Sequence, residues 1–109
     1  MDPFEAFQSI DIRIGRISRV ELNAEARKPA YKIWIDFGEL GTKTTSAQYT
    51  ALYKLQDLVG KQVACAVNLG SRKIAGFTSE VLMLGAEQGS GQVVYLTPER
   101  LVPLAAKVF

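Results

Sequence analysis

The chain has 109 residues, 48% hydrophobic and 22% charged, with 13 Lys and Arg against 11 Asp and Glu for a net charge of +2. That suits one globular domain over residues 1–109 and argues against a disordered chain, while so small a basic excess neither requires nor excludes a nucleic-acid partner. The absence of histidine and the single cysteine, Cys65, remove the commonest metal ligand, the Ser-His and Cys-His nucleophiles and any internal disulfide.

No apolar run reaches the roughly 20 residues that cross a bilayer. The opening "MDPFEAFQSID" is acidic and lacks the basic segment of a secretory signal. A cytoplasmic protein with no membrane insertion is the expectation. The carboxylates show no spacing that announces a catalytic pair, so no enzyme activity, cofactor or metal is expected. Ser71 with Lys73 is the one nucleophile arrangement the inventory leaves conceivable.

After a short amphipathic opening, Ile10, Ile12 and Ile14 alternate with Asp11 and Arg13, which reads as a strand. Ile17 then falls out of phase before Val20 and Leu22 restore it. A glycine at such a slip predicts a bulge or bend at Gly15. The next strand places Tyr31, Ile33, Ile35 and Phe37 on one face and Lys32, Trp34 and Asp36 on the other. Gly38 and Gly41 bracket a hairpin turn. "TKTTSAQ" is an almost wholly polar third strand, solvated on at least one face. "YTALYKLQDLVGKQ" holds the one helical stretch, with Thr50 as its cap, Leu52, Leu55 and Leu58 on its covered face and Gly60 as its stop.

"QVACAVNL" reads as a central strand, apolar on both faces, with Cys65 a buried small hydrophobe. A tight turn carrying Arg72-Lys73 follows, then the strands "SEVLMLGA" and "QVVYL" joined through "EQGSGQ". The closing "LAAKVF" reads as an ordered or docking segment. Five or six strands, a bent first strand and a helix after the third describe an all-β, five-stranded Greek-key barrel of the oligonucleotide/oligosaccharide-binding (OB) type, with its short helix between strands 3 and 4. An SH3-like barrel or open sandwich shares most of these features.

Several residues carry two readings each. Arg72 and Lys73 are either solvated turn cations or a pair beside a binding groove, and Arg13, Arg16, Arg19 and Lys43 either extend a basic wall or serve solubility. The polar strand is either outward-facing or in contact with ligand. Asn68 ends five apolar residues at the barrel's mouth, where it caps the adjacent turn or meets a ligand. Trp34 shares its face with Lys32 and Asp36; it stacks on a ligand or lies covered. Phe4, Phe7, Tyr95, Leu96 and Phe109 are expected in the core or a subunit interface.

"DIRIG" (Asp11 to Gly15), "YKIWIDFG" (Tyr31 to Gly38), "SAQ" (Ser46 to Gln48), "GKQVACAVNL" (Gly60 to Leu69) and "RKIAGFTSEVLMLG" (Arg72 to Gly85) stand in a specific order. Together they resemble the tRNA-binding domain family of OB folds over about residues 5 to 105, in particular its stand-alone, export-related chaperone branch. The resemblance implies a homodimer without catalysis or cofactor. For the chaperone branch it implies binding of unfolded or precursor polypeptides and cooperation with the export motor ATPase; for the other branch, recognition of tRNA by shape. Matching positions on the family's ligand face are Lys43, Ser46, Gln48, Asn68, Arg72, Lys73 and Ser79. Where RNA-binding relatives read Ser-x-Gly-Met, this chain has Ser79-Glu80-Val81, and a carboxylate beside a phosphate site is repulsive. That departure, with the low net charge, favours a polypeptide ligand.

Overall fold

In the computed structural model all 109 residues are described, and the chain winds into a nearly closed barrel of five strands. The elements are α1 (Pro3–Gln8), β1 (Ile12–Leu22), β2 (Tyr31–Asp36), a 3-10 turn (Gly38–Leu40), β3 (Thr42–Ala47), α2 (Leu55–Leu58) and β4 (Gln62–Ala66). Then follow β5 (Arg72–Ile74), β6 (Phe77–Ser79), β7 (Leu82–Met83), β8 (Gly85–Glu87), β9 (Val93–Tyr95) and β10 (Lys107–Val108). The main sheet runs β3-β2-β1-β4-β7, with β10 also paired to β1. Two hairpins, β5–β6 and β8–β9, decorate it. This is the OB architecture expected from the sequence, with the helix between the third and fourth strands.

β1 organises the barrel because both of its faces are apolar. Ile17 faces the main core with Ile33, Ile35, Phe37, Val63 and Cys65, all essentially inaccessible. Ile12 and Ile14 point the other way, into a second cluster with Ala64 and Ala66 that Val102, Ala106 and Val108 cover. The slip between Ile14 and Ile17 is therefore a change of face along a regular strand. The bulge lies three residues after Gly15: Ile17 pairs with Ile35 but Arg19 pairs with Trp34, leaving Ser18 as the extra residue. Gly15 serves packing instead. A Cβ there would sit 2.5 Å from Ile35 Cγ2 and 2.8 Å from the Phe37 ring, so only hydrogen lets the second strand close over the first.

β4 is buried at every position, as its apolar run predicts. Its one polar member, Gln62, donates from Nε2 to Val102 O at 2.8 Å and accepts from Val102 N–H at 3.1 Å. That amide pins the C-terminal segment across the barrel and lets β10 reach β1 through Ile12↔Val108. The closing segment is thus ordered by pairing, although Phe109 itself is 97% exposed.

The helical expectation shrinks to one turn. The backbone N–H of Lys54 donates to the Asp57 carboxylate at 2.9 Å, so the helix starts there and Thr50 does not cap it. Leu58 alone is buried; Leu52 and Leu55 remain exposed. Four residues are enough to plug the barrel's end with Leu58.

Arg72 and Lys73 lie on a strand and not in the turn. The reversal falls at Ala75-Gly76, both at positive φ (49° and 79°), between the paired residues Ile74 and Phe77. Of the residues expected in the core or a subunit interface, Tyr95 packs half-buried against Tyr53, with ring centroids 5.1 Å apart, whereas Phe4, Phe7, Leu96 and Phe109 are exposed on the single chain.

Candidate functional site: a groove between two loops over the third strand

The β1–β2 connection and the β5–β6 hairpin rise on either side of the C-terminal half of β3. Between them runs a groove of about 580 Å³, walled by Glu25, Ala26, Arg27, Lys28 and Ala30 on one side and Ile74 and Ala75 on the other. Its floor is Ser46 and Gln48. In OB barrels these two loops and the face of strands 2 and 3 are where ligands sit. A second cleft of about 280 Å³ continues beneath the hairpin, lined by Ser46, Arg72, Ser79 and Leu82 among others.

Strand alternation explains which side chains arrive there. On β3, Thr45 and Ala47 point into the core, so Thr44, Ser46 and then Gln48 face outward. On β5, Arg72 and Ile74 line the second cleft while Lys73 between them points away. The expected site residues therefore divide. Ser46, Gln48, Arg72 and Ser79 converge on the groove system. Lys43 and Asn68 share a separate cavity of about 200 Å³ with Asp11, Phe37 and Val67. Lys73 lines none of these clefts.

Two of the expected contacts are engaged by the chain itself. Asn68 is exposed, and its amide accepts from Asp11 N–H at 2.8 Å and donates to Ser9 O at 2.9 Å. It fastens α1 to the start of β1 and does not cap its own turn. Ser79 Oγ accepts from Ser46 N–H at 3.1 Å and lies 3.3 Å from Thr45 Oγ1. Glu80 is spent as well: its Oε1 accepts from Thr44 N–H at 3.0 Å and from Thr44 Oγ1 at 2.9 Å. With the Glu80 N–H donating to Thr44 O at 2.7 Å, this residue closes the barrel between β3 and the segment before β7. The carboxylate that the sequence places on the ligand rim belongs to the seam.

Trp34 is half-buried on the outer face of β2. The Arg19 guanidinium lies 4.5 Å over its ring centroid and Phe77 meets it edge-on at 5.4 Å. Lys32 in turn sits over Phe77 at 5.5 Å. Such cation–π stacking holds the hairpin's end against β2. It also removes Arg19 from any basic wall, as do the ties of Arg13 to Asp11 and Ala105 O and of Arg16 to Gly60 O.

The cations left at the groove are Arg27, Lys28 and Arg72, none of which forms an ion pair. Glu25 is the one carboxylate among the lining residues of the groove. Arg27 and Lys28 are not among the site residues expected from the sequence. Their signal is present in "EARKPAYK", a polar connection carrying two adjacent cations and a proline, but only the fold shows that it faces the hairpin.

Core chemistry next to the site is inert. Burial pushes the Cys65 thiol up to about 12, so the nucleophilic thiolate is suppressed. Desolvation, with smaller contributions from Cys65 and Tyr53, raises Tyr49 to about 12. No three His, Cys, Asp or Glu side chains converge to hold a metal ion, and no helix is long and apolar enough to cross a membrane.

Known proteins share this architecture. The family described as "Putative tRNA binding domain" matches residues 12–107. The crystal structure of chaperone CsaA from Bacillus anthracis str. Ames aligns with a TM-score of 0.94 at 45% identity, covering 100% of this chain and 99% of that one. The CsaA chaperone protein from Picrophilus torridus gives 0.92 at 44% identity, covering both chains completely. The methionine–tRNA ligase of Bacteroides fragilis is 35% identical over 105 residues, 96% of this chain; the chain spans only 15% of the ligase's length. The groove lies where OB barrels take their ligands, and sequence and fold agree from β1 to β10: the chain belongs to the tRNA-binding domain family.

Proposed function

We propose that the protein is a non-enzymatic, cytoplasmic, chaperone-like homodimer that binds unfolded or precursor polypeptides in protein export, working with the export motor ATPase. The observation carrying this reading is the 44–45% identity to two CsaA chaperones over 99–100% of their chains, against 35% to the ligase. The groove's chemistry supports it. Ala26, Ala30, Ile74 and Ala75 give apolar contact area, Ser46 and Gln48 give donors and acceptors, and Arg27, Lys28 and Arg72 steer acidic segments. Exposed Phe4, Phe7, Leu96, Leu101 and Phe109 supply apolar surface for a second copy, and a dimer presents two grooves.

A second reading, recognition of tRNA by shape, is favoured by the family's description and by the unpaired groove cations. Phosphates would then replace carboxylates as their partners, with a steep salt dependence. One experiment separates the two. The protein is titrated with an unfolded precursor polypeptide and with tRNA at low and physiological salt, following Trp34 fluorescence and the anisotropy of labelled ligand. Polypeptide binding that persists at physiological salt, with tRNA binding absent or lost, is the expected result. Tight tRNA binding without polypeptide binding overturns it.

A further inference from the structure

β3 is the terminal strand of the barrel sheet, and its two edges have different fates. One edge pairs with β2 along its whole length, from Asp36↔Thr42 to Tyr31↔Ala47. The other edge is closed only in its first half. Thr44 O accepts from Glu80 N–H and Val81 N–H, Thr44 N–H goes to the Glu80 carboxylate, and Ser46 N–H goes to Ser79 Oγ.

Beyond that point main-chain closure stops, and the one remaining tie to β7 is the buried Tyr49 hydroxyl, which donates to Met83 O at 3.3 Å. In an antiparallel strand the N–H and C=O of one residue point to the same side, so the Ser46 C=O faces outward with its N–H. Gln48 lies two residues on, directly after the last residue of β3. The Ser46 C=O and the Gln48 N–H and C=O have no partner in the chain, and β7 forms no ladder with β3. Unpaired strand edges are templates for another strand unless they are covered. Here the edge is open to solvent, because the groove, the second cleft and a third of about 220 Å³ all meet at Ser46. The third cleft adds an apolar wall of Leu82 and Val93 across from the edge.

We propose that the open edge of β3 at Ser46–Gln48 is a strand-addition site, where an extended polypeptide segment with acidic residues at its ends pairs through its main chain. The inference rests on the polypeptide reading above and specifies how that ligand is held. A main-chain ladder reads no sequence, which suits a protein that takes many unfolded chains. Alternate side chains of the added strand meet the Leu82–Val93 wall, and its acidic ends meet Arg27 and Lys28 on one loop and Arg72 on the hairpin. A nucleic acid has no peptide groups with which to continue a ladder.

The test uses the intact protein and three labelled peptides of identical sequence, with alternating valine and serine between acidic ends. The first is unmodified, and the other two are N-methylated at alternate backbone amides in opposite phases. Anisotropy reads binding, and hydrogen exchange by NMR reads the Gln48 amide. The expected result is that the unmodified peptide binds and slows Gln48 exchange, one methylation phase binds about tenfold or more weakly, and the other phase is little affected. If both methylated peptides bind like the unmodified one and Gln48 exchange is unchanged, the edge proposal is wrong while polypeptide binding stands. An unfolded precursor that binds without protecting Gln48 overturns the edge proposal in the same way. If no polypeptide binds, or tRNA alone protects Gln48, both the edge proposal and the polypeptide reading fall.

Discussion

Glu80 and Thr44 clasp each other through side chain and backbone together. The Glu80 carboxylate takes the N–H of Thr44 and competes with Thr78 O for its hydroxyl, while the Glu80 N–H returns to the Thr44 carbonyl. Two hydrogen bonds between residues 36 positions apart, with the Thr44 hydroxyl shared between Glu80 and Thr78 O, are the seam of the barrel. Glu80→Ala leaves the half-buried Thr44 N–H without an acceptor and lowers stability by about 1–3 kcal/mol. Glu80→Gln keeps an oxygen acceptor and costs less. Urea midpoints with unchanged m-values check both. A Glu80→Ala protein as stable as the wild type refutes the seam.

Gly15 is equally restrictive for a different reason. Gly15→Ala drives a methyl into Ile35 and Phe37, two residues with no accessible surface, and overpacking of this kind costs about 1–3 kcal/mol. Gly15 pairs with Val63 of β4 while its α-carbon faces the side chains of β2, so the loss appears in thermal melts as a lower Tm. Were Gly15 merely a flexible bulge residue, alanine would be nearly neutral.

Alkaline pH tests the buried phenol and thiol. Tyr49 and Cys65 ionise ordinarily at 10.0 and 9.0, and burial holds both near 12 in the fold. In that interval the unfolded chain binds fewer protons than the folded one, so stability falls as pH rises. The contribution is intact below about pH 9 and is lost on the way to about 12. Equilibrium unfolding at stepped pH measures it. The same burial predicts that thiol reagents label Cys65 at neutral pH only at the rate of unfolding.

Asn68→Ala separates fastening from binding. It removes the acceptor for Asp11 N–H and the donor to Ser9 O, so α1 detaches and amide exchange over residues 3–11 accelerates. The expected stability loss is about 0.5–1.5 kcal/mol, since the site is exposed. Polypeptide affinity stays within about twofold, because Asn68 lines a different cavity from the groove. A large affinity loss with α1 still docked makes Asn68 a ligand contact after all.

The two hairpin cations differ by strand alternation. Arg72→Ala weakens an acidic polypeptide by about three- to tenfold and flattens the salt dependence, whereas Lys73→Ala changes affinity by less than about twofold. Anisotropy titrations at two salt concentrations compare them. Equal losses mean that the hairpin does not present Arg72 to the groove.

Period-2 alternation over residues 31–37, the doubly apolar run at 62–66 and the glycines at 38 and 41 follow from local chemistry. They are legible because each side chain's facing depends only on its neighbours along the strand. The same logic misleads at residues 14–17. Two buried faces on one strand look like a broken period when a single face is assumed, and the bulge at Ser18 is visible only once β2 is laid beside β1. Local pattern likewise overestimates the helix, since the packing of Leu58 needs one turn and Leu52 and Leu55 both stay more than a third exposed.

The strand-rich barrel, the family motifs and the polar character of β3 are all readable from local residue chemistry. That Glu80 and Asn68 are fasteners, that Arg27 and Lys28 face Ile74 across a groove, and that main-chain closure of β3 ends at Ser46 emerge only from the assembled barrel. The physical reason is range. Strand facing is a property of adjacent residues, whereas a hydrogen-bond partner 36 or 57 positions away, or an edge left without one, exists only after the sheet has curled.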